Sequence, residues 1–413
     1  MIFERQKIYR ILDFICVFII GFLIFWCVLN FRKDIVFYFL SIFLAFSWVL
    51  FFDLGGIYEF EKLKNFKNSF VILLLSAFFM IFLYAFIYII FKSRVKIFLF
   101  LHYIFSLIFL SLLKFILTKS KIFNRFKRKI LILSSNYEKI SAFFKNYPEY
   151  EIVNMEGDKN FADEIIISYG EKVPDKKGTK KFKIRYFEDI YEKLTGRISL
   201  EFLENEEYLK EFLRKSKKSK IYEIYKRIFD LIGGGIGGVI YILFLPLIIL
   251  GVKIDSKGPV FYVHKRTGKN GKPFKIYKIR TMIEDAEKNG AVWAKKDDPR
   301  ITRIGKLLRK TRLDEFTQLF NILKGEMSAI GPRPERPELE EKIKPHINFY
   351  DLRYLVKPGM AGWAMVNYDY VDSIEDAKIR QEYDLYYIKN RSFYLELKIF
   401  FRALFSLICL KGR

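Results

Sequence analysis

The chain has 413 residues, enough for two or three domains, and 52% of them are hydrophobic, including 45 Phe. This content excludes an ordinary soluble protein, because the apolar residues are bunched into runs long enough to enter a bilayer. The net charge of +25 fits a Lys-rich surface beside anionic lipid, with anionic substrates as a second contribution. No nucleic-acid recognition motif accompanies the charge, so a membrane-tethered nucleic-acid binder lacks support.

The N-terminal part predicts a four-helix transmembrane bundle over residues 1–117. The apolar runs cover residues 11–31, 35–52, 70–91 and 97–113, and a spanning helix needs about 17–25 such residues. The N-terminus, the second loop and the segment after the fourth run together hold twelve Lys and Arg, against five in the two opposite loops. By the positive-inside rule, the N-terminus and the long C-terminal part lie in the cytoplasm.

Residues 118–219 are polar and Lys-rich, with short apolar runs at 130–133 and 164–167 that predict buried strands. The turn after the first of these strands reads Ser134-Ser-Asn-Tyr-Glu138. It lacks the Gly-x-Gly-x-x-Gly that lets a backbone approach a pyrophosphate closely. We therefore expect a reduced α/β module and linker that binds no dinucleotide.

A fifth apolar run, residues 228–250, has Lys and Arg clusters on both sides. A spanning helix would place one of these clusters outside the cell, against the positive-inside rule. Pro246 removes a backbone donor and can bend a helix. The pattern therefore predicts a re-entrant helix with its break at Pro246 and both ends in the cytoplasm. Its glycines, spaced four apart between 233 and 238, predict a close-packing face toward other membrane helices.

Two alternating runs, residues 259–266 and 274–280, predict a hairpin with its turn at Asn270-Gly271. Lys278 and Arg280 share one face of the second strand, because side chains alternate along a strand. Two cations would therefore face a common site, unless they only line a solvated edge.

An adjacent acid pair, Asp314 and Glu315, follows a cluster of Lys and Arg. Helical spacing of apolar residues runs from 304 to 323, with Gly325 as a suitable stop and Thr311 as a cap for a helix beginning at Arg312. The acids would lie in the first turn of that helix. There they could serve only the helix dipole, or they could act on an anionic substrate held by the nearby cations.

Three stretches carry a family resemblance: Lys278-Ile-Arg-Thr-Met282, the acid pair with Arg333 between two prolines, and Lys357-Pro-Gly-Met-Ala-Gly-Trp-Ala-Met-Val-Asn367. Over residues 220–412 the chain resembles the bacterial polyprenyl-phosphate phosphoglycosyl transferases. It is most similar to the large, membrane-bundle-containing members that initiate exopolysaccharide or O-antigen synthesis. The resemblance implies a bundle over 1–117, a Rossmann-like module within 118–219, and a monotopic catalytic domain over 220–413 with a re-entrant helix at 228–250.

The resemblance also implies a reaction and a set of site residues. A sugar 1-phosphate would move from a UDP-sugar, with UDP-glucose or UDP-galactose favoured, to undecaprenyl phosphate through a covalent Asp314 intermediate. Asp314 and Glu315 would be catalytic, and Asp314 would also contact Mg²⁺. The matching phosphate-binding cations are Lys278, Arg280, Arg309 and Arg333. The expected location is the cytoplasmic face of a bacterial inner membrane, in contact with membrane lipid; a homodimer is left open. The alternative is a catalytically silent membrane scaffold for polysaccharide assembly.

Overall fold

The structure is a computed structural model that describes residues 2–28, 35–58, 66–91, 96–119, 128–147, 150–153, 162–172, 183–284, 286, 298–368 and 373–408. The chain divides into two compact units. The first comprises residues 1–167 and 173–185, and the second comprises residues 168–172 and 186–413. Each unit has its own hydrophobic core.

Long apolar helices open the first unit: α1 (Ile2–Val28), α2 (Ile35–Gly55), α3 (Phe66–Phe91) and α4 (Lys96–Lys119). Each packs against its neighbour in sequence, and α1 also packs against α4. In the described part, α2, α3 and α4 are long and apolar enough to cross a membrane. The end of the predicted first span, at residues 29–31, lies outside the described residues.

The bundle buries charged side chains as well as aromatic ones. Lys114 donates to Asp13 Oδ2 at 2.6 Å, and their side chains are 1% and 0% exposed. The Tyr58 hydroxyl donates to the same oxygen at 2.5 Å, and Lys114 lies 4.9 Å from the centre of the Tyr58 ring. The charges of Asp13 and Lys114 therefore offset each other inside the bundle, where an unpaired charge would be costly.

A small sheet follows, with strands β1 (Arg128–Ile132), β2 (Tyr150–Ile152), β3 (Glu164–Ile167) and β4 (Lys183–Tyr186) in the order β2-β1-β3-β4. β1 pairs in parallel with both β2 and β3, and α5 (Tyr137–Lys145) follows β1. Both predicted buried strands are present, as β1 and β3. This parallel arrangement agrees with the expected reduced α/β module.

The second unit begins with α6 (Phe187–Thr195) and α7 (Glu206–Ser216). This segment shares a core with the C-terminal part: Tyr208 and Phe212 are buried together with Leu385 and Ile399. Trp363 Nε1 also donates to the carbonyl of Gly196 at 2.8 Å. Residues 186–219 thus belong to the same compact unit as the C-terminal part, because the apolar face of α7 is buried by residues that follow 330.

The remaining elements of the second unit are α8 (Lys220–Asp255), β5 (Phe261–Thr267), β6 (Pro273–Ile279), α9 (Arg303–Lys310), α10 (Leu319–Lys324), β7 (Ser328–Ile330), α11 (Pro337–Ile343), β8 (Gly359–Ala361), α12 (Trp363–Asn367), α13 (Ile374–Asn390) and α14 (Phe393–Ile408). The predicted hairpin is present: β5 and β6 are antiparallel. Asn270 and Gly271 between them have φ of 58° and 73°, as the tight turn requires.

Helix α8 has 36 residues and is continuous through Pro246. It too is long and apolar enough to cross a membrane. Its glycines do not all form one packing face: a Cβ on Gly237 would lie 3.3 Å from Leu319, whereas Gly233 and Gly238 have open space around them. Gly237 was predicted to pack against another membrane helix. This prediction was wrong, because Gly237 approaches the short helix α10 of the same unit.

Candidate active site

The acid pair lies in a 3₁₀ turn, Leu313–Gln318, between α9 and α10. The prediction that Thr311 caps a helix beginning at Arg312 was wrong. The Thr311 hydroxyl donates back to the Leu307 carbonyl at 2.8 Å, and Arg312 adopts a left-handed φ of 59°. Thr317 then donates to the Tyr277 carbonyl of β6 at 2.7 Å. The chain reverses at Arg312, and this bond fixes the turn against the strand that carries Lys278.

Glu315 is engaged by two cations that come from distant parts of the sequence. Lys278 Nζ donates to Oε1 at 2.8 Å, while Arg333 contacts Oε1 at 2.5 Å and Oε2 at 3.2 Å. Burial opposes ionisation of this carboxyl, but Arg333 and Lys278 outweigh it and hold the pKa of Glu315 well below its usual range. Glu315 is therefore a fixed anion that orients the two cations.

Asp314 differs from its neighbour because no group of the described chain donates a hydrogen bond to its carboxylate. The residue is 7% exposed. Burial, and then the charge of Glu315, raise the pKa of Asp314 to about 6, although Lys278, Arg309 and Arg333 act in the opposite direction. A carboxylate of this kind is ionised at neutral pH and weakly solvated, which suits a nucleophile.

The other two predicted cations differ in where they point. Arg309 Nε donates to Thr281 Oγ1 at 2.8 Å; burial lowers its pKa, and Asp314 is the largest influence in the opposite direction. Arg280 instead donates to the carbonyls of Lys257 at 2.6 Å and Ser256 at 2.8 Å. Its guanidinium therefore ties the end of α8 to β6, and the structure gives it no contact with the acid pair. Its predicted role on phosphate stays a prediction.

Buried ion pairs that no local pattern predicted hold the Arg333 segment. Arg353 donates to the Arg333 carbonyl at 2.9 Å and to Asp384 at 3.1 Å. Arg380 pairs with Glu335 at 2.5 Å. These partners lie 20 to 47 residues from the Arg333 segment along the chain, so only the folded structure brings them together.

Helix α8 supports the same segment from its other end. Lys226 Nζ donates to the Ile330 carbonyl at 3.0 Å and to Glu396 at 2.6 Å. Asp230 Oδ1 accepts from Ser328 Oγ at 2.9 Å and from the Ala329 amide at 2.8 Å. Strand β7 is thus fixed three residues before Arg333. The spacing of Lys226 and Asp230, four residues apart on one helix face, was the available signal.

The hairpin contributes a neutral histidine near the cations. Arg266 Nε donates to His264 Nε2 at 2.8 Å. Burial, followed by the charges of Arg266 and Lys278, lowers the pKa of His264 to about 2. His264 is therefore a neutral acceptor for Arg266 and unsuited to act as a base near neutral pH.

The metal expectation rests on Asp314. In the described residues, no three His, Cys, Asp or Glu side chains are grouped as a metal cage would require. Mg²⁺ is usually held by one or two carboxylates together with substrate phosphates, so such a cage is not needed. Both oxygens of Glu315 are occupied by cations, which leaves Asp314 as the carboxylate of this pair that fits the ion.

Comparison with known proteins identifies the part of the chain that carries this site. Residues 221–409 match the family model described as bacterial sugar transferase. The UDP-N-acetylgalactosamine-undecaprenyl-phosphate N-acetylgalactosaminephosphotransferase of Aeromonas hydrophila is 40% identical over 229 residues, 54% of this chain and 52% of that protein. The match therefore spans about half the length of this relative.

Two further relatives each match 44% of this chain. The UDP-glucose:undecaprenyl-phosphate glucose-1-phosphate transferase of Klebsiella pneumoniae is 40% identical over 188 residues, 44% of this chain and 40% of that protein. The exopolysaccharide production protein PSS of Rhizobium leguminosarum bv. phaseoli is 37% identical over 192 residues, 44% of this chain but 94% of that protein. A relative is thus matched over nearly its whole length, and the chain belongs to the bacterial sugar transferase family.

Proposed function

We propose that this protein transfers a sugar 1-phosphate from a UDP-sugar to undecaprenyl phosphate and releases UMP. The observation that carries the proposal is the division of labour in the acid pair. Glu315 holds Lys278 and Arg333 in place, while the adjacent Asp314 carboxylate accepts no hydrogen bond from the described residues. The names of the Aeromonas and Klebsiella relatives, both undecaprenyl-phosphate sugar phosphotransferases, support this reaction class.

The reaction has two displacement steps. A carboxylate oxygen of Asp314 attacks the sugar-bearing phosphorus, the bond from that phosphorus to the UMP oxygen breaks, and UMP leaves with the electron pair. An oxygen of undecaprenyl phosphate then attacks the same phosphorus, and the bond to Asp314 breaks, which restores the carboxylate. Splitting the reaction in this way avoids a direct encounter of two anionic substrates.

The cations lower the barrier to each step by charge-assisted hydrogen bonds to phosphate oxygens. We assign this role to Lys278 and Arg333, which contact Glu315, and to Arg309, and Arg280 remains part of the proposed set. Mg²⁺ held by Asp314 would neutralise diphosphate charge and assist the departure of UMP. Burial of the site strengthens each of these interactions relative to water.

We place the catalytic unit on the cytoplasmic face of a bacterial inner membrane, with α8 re-entrant and bent at Pro246. Contacts with one catalytic unit are distributed along α8, from Lys226 with Ile330 to Asp255, whose carboxylate accepts from the Ile304 amide at 2.7 Å. A spanning helix would have to draw these catalytic elements through a hydrocarbon core about 30 Å thick. The outward face of α8 is apolar and exposed, including Ile236, Leu243 and Leu247, which suits contact with lipid.

The experiment is UMP release by the full chain in lipid nanodiscs, with undecaprenyl phosphate and a panel of UDP-sugars. UDP-glucose and UDP-galactose are the favoured donors, and UDP-N-acetylgalactosamine belongs in the panel because of the Aeromonas relative. Asp314→Asn should abolish UMP release and the covalent adduct without lowering the Tm at pH 7.5. Asp351→Asn, at a side chain that is 74% exposed, is the control. Turnover by Asp314→Asn at near the wild-type rate would rule out the covalent step. A wild-type protein that releases no UMP with any donor would favour the silent scaffold.

A further inference from the structure

Tyr241 lies in α8 on the side that faces the catalytic unit. The residue is 2% exposed, and its ring packs against Phe316 with 5.7 Å between the ring centres. Phe316 directly follows the acid pair in the 3₁₀ turn. A side chain of the membrane helix is thus packed onto the turn that carries Asp314.

The hydroxyl of Tyr241 is buried and has no hydrogen-bond partner in the described part of the chain. Burying such a group without a partner costs roughly 1–3 kcal/mol, whereas phenylalanine would fill the same space at no such cost. Packing against Phe316 therefore accounts for an aromatic ring at position 241, but it does not account for the buried hydroxyl. A buried polar atom left unpaired in this way is typical of a site that a ligand completes.

Asp314 also lacks a hydrogen-bond partner, because its carboxylate accepts no hydrogen bond from the described chain. The Tyr241 ring packs on Phe316, two residues after Asp314 in the same turn, yet the Tyr241 hydroxyl and the Asp314 carboxylate do not form a hydrogen bond. A phosphoryl group attached to Asp314 would bring acceptor oxygens to this region. A phenol is a suitable donor to such an oxygen, since it carries one O–H and no charge.

We propose that Tyr241 is a further catalytic residue, whose hydroxyl donates a hydrogen bond to an oxygen of the phosphoryl group during its transfer through Asp314. The inference rests on the proposed function. It adds a hydrogen-bond donor from the membrane helix to the cations that are proposed to hold the phosphoryl group. The phenol keeps its proton throughout. The bonds that form and break at phosphorus are those of the two displacement steps, with UMP and then Asp314 as the leaving groups.

The test is Tyr241→Phe, which removes the hydroxyl and keeps the ring against Phe316. The matched control is Tyr225→Phe, because Tyr225 is also in α8 and also has a buried hydroxyl without a partner in the described chain. Its ring packs against Phe393, 4.9 Å away, in α14. Both variants are assayed in nanodiscs for kcat and KM with the best UDP-sugar, for exchange of labelled UMP into UDP-sugar, and for Tm.

We expect kcat and the UMP exchange rate of Tyr241→Phe to fall roughly 10- to 100-fold, as for loss of a hydrogen bond to a charged group. KM should change less than threefold, and Tm should stay equal to that of the wild type or rise. A kcat within twofold of the wild type overturns the assignment. A loss that Tyr225→Phe shares, or one accompanied by a lower Tm, overturns it as well. If the wild type itself turns over no UDP-sugar, the proposed function and the assignment of Tyr241 are both overturned; failure of the Tyr241 assignment alone leaves wild-type turnover intact.

Discussion

Arg333 makes a bidentate contact with Glu315, with 2.5 Å from Nη2 to Oε1 and 3.2 Å from Nη1 to Oε2. Neighbouring carboxyls in one turn thereby acquire opposite properties. The pKa of Glu315 is held well below its usual range by Arg333 and Lys278 against the effect of burial, while burial and the charge of Glu315 raise that of Asp314. One carboxylate organises the cations, and the other remains available for chemistry.

The raised pKa of Asp314 predicts an acid limb in the pH profile. A nucleophilic carboxylate must be ionised, and the pKa of Asp314 is about 6. Below that pH we expect kcat/KM for the UDP-sugar to fall about tenfold per pH unit, because kcat/KM reports the ionisation of the free enzyme. Above pH 7 it should be level as far as Asp314 is concerned. The measurement is kcat/KM for the UDP-sugar from pH 5 to 8; a level profile down to pH 5 would contradict the assignment.

The support of β7 by α8 predicts energetic coupling between Asp230 and Arg333. Arg333→Ala should reduce kcat/KM without preventing folding, because Lys278 still pairs with Glu315. Asp230→Ala should lower kcat/KM several-fold in the wild type but have little further effect in the Arg333→Ala background. The coupling energy should lie in the range of about 0.5–3 kcal/mol that is usual for connected residues.

The control for this cycle is Glu223→Ala, since Glu223 lies in the same helix with a side chain that is 49% exposed. It should leave kcat/KM unchanged in both backgrounds. If Asp230→Ala and Arg333→Ala were strictly additive, Asp230 would act on the fold alone and not through the position of Arg333.

The buried pair in the bundle predicts a large loss of stability from a single substitution. Lys114→Met removes the cation but leaves Asp13 buried, so we expect about 3–5 kcal/mol of destabilisation. The double variant Asp13→Asn/Lys114→Met should recover most of that loss. Thermal unfolding in detergent measures both proteins. A Lys114→Met protein as stable as the wild type would mean that the pair contributes little.

The re-entrant placement predicts that both ends of α8 are inaccessible from outside the cell. Lys220 and Lys257 are exposed side chains at or just beyond those ends. Lys220→Cys and Lys257→Cys are made in a background from which Cys16, Cys27 and Cys409 have been removed. Neither should react with an impermeant maleimide in intact cells, and both should react after permeabilisation. Labelling of either position in intact cells would refute the re-entrant model.

Local patterns predicted the elements of this chain better than they predicted its site. Apolar run length gave the long helices, and Asn270-Gly271 gave the hairpin, because both signals depend on neighbouring residues alone. The left-handed Arg312 was missed, since Thr-x-x-Asp resembles a capping box and therefore favoured a regular helix start.

The side chains that hold the site could not be found in this way. Lys226 and Glu396 are 170 residues apart in the sequence, and their pairing depends on how α8 and α14 pack. The contact of Arg280 with the end of α8 also depends on tertiary packing and could not be predicted from local sequence. Alternation predicted one face for Lys278 and Arg280. In the structure Lys278 contacts Glu315, whereas Arg280, just past the end of β6, contacts the carbonyls of Lys257 and Ser256.

The bond from Trp363 to the Gly196 carbonyl bears on how this protein can be recombined with its relatives. Gly196 is in a left-handed conformation, and a Cβ there would lie 3.2 Å from the Trp363 ring. Residues 187–216 therefore belong with the catalytic unit, although they precede the residues that the family model matches. A chimera joined at 220 would separate Trp363 from its acceptor and would remove Tyr208 and Phe212 from the core. A junction near 185 would keep both, and is where exchange of the N-terminal unit should be tolerated.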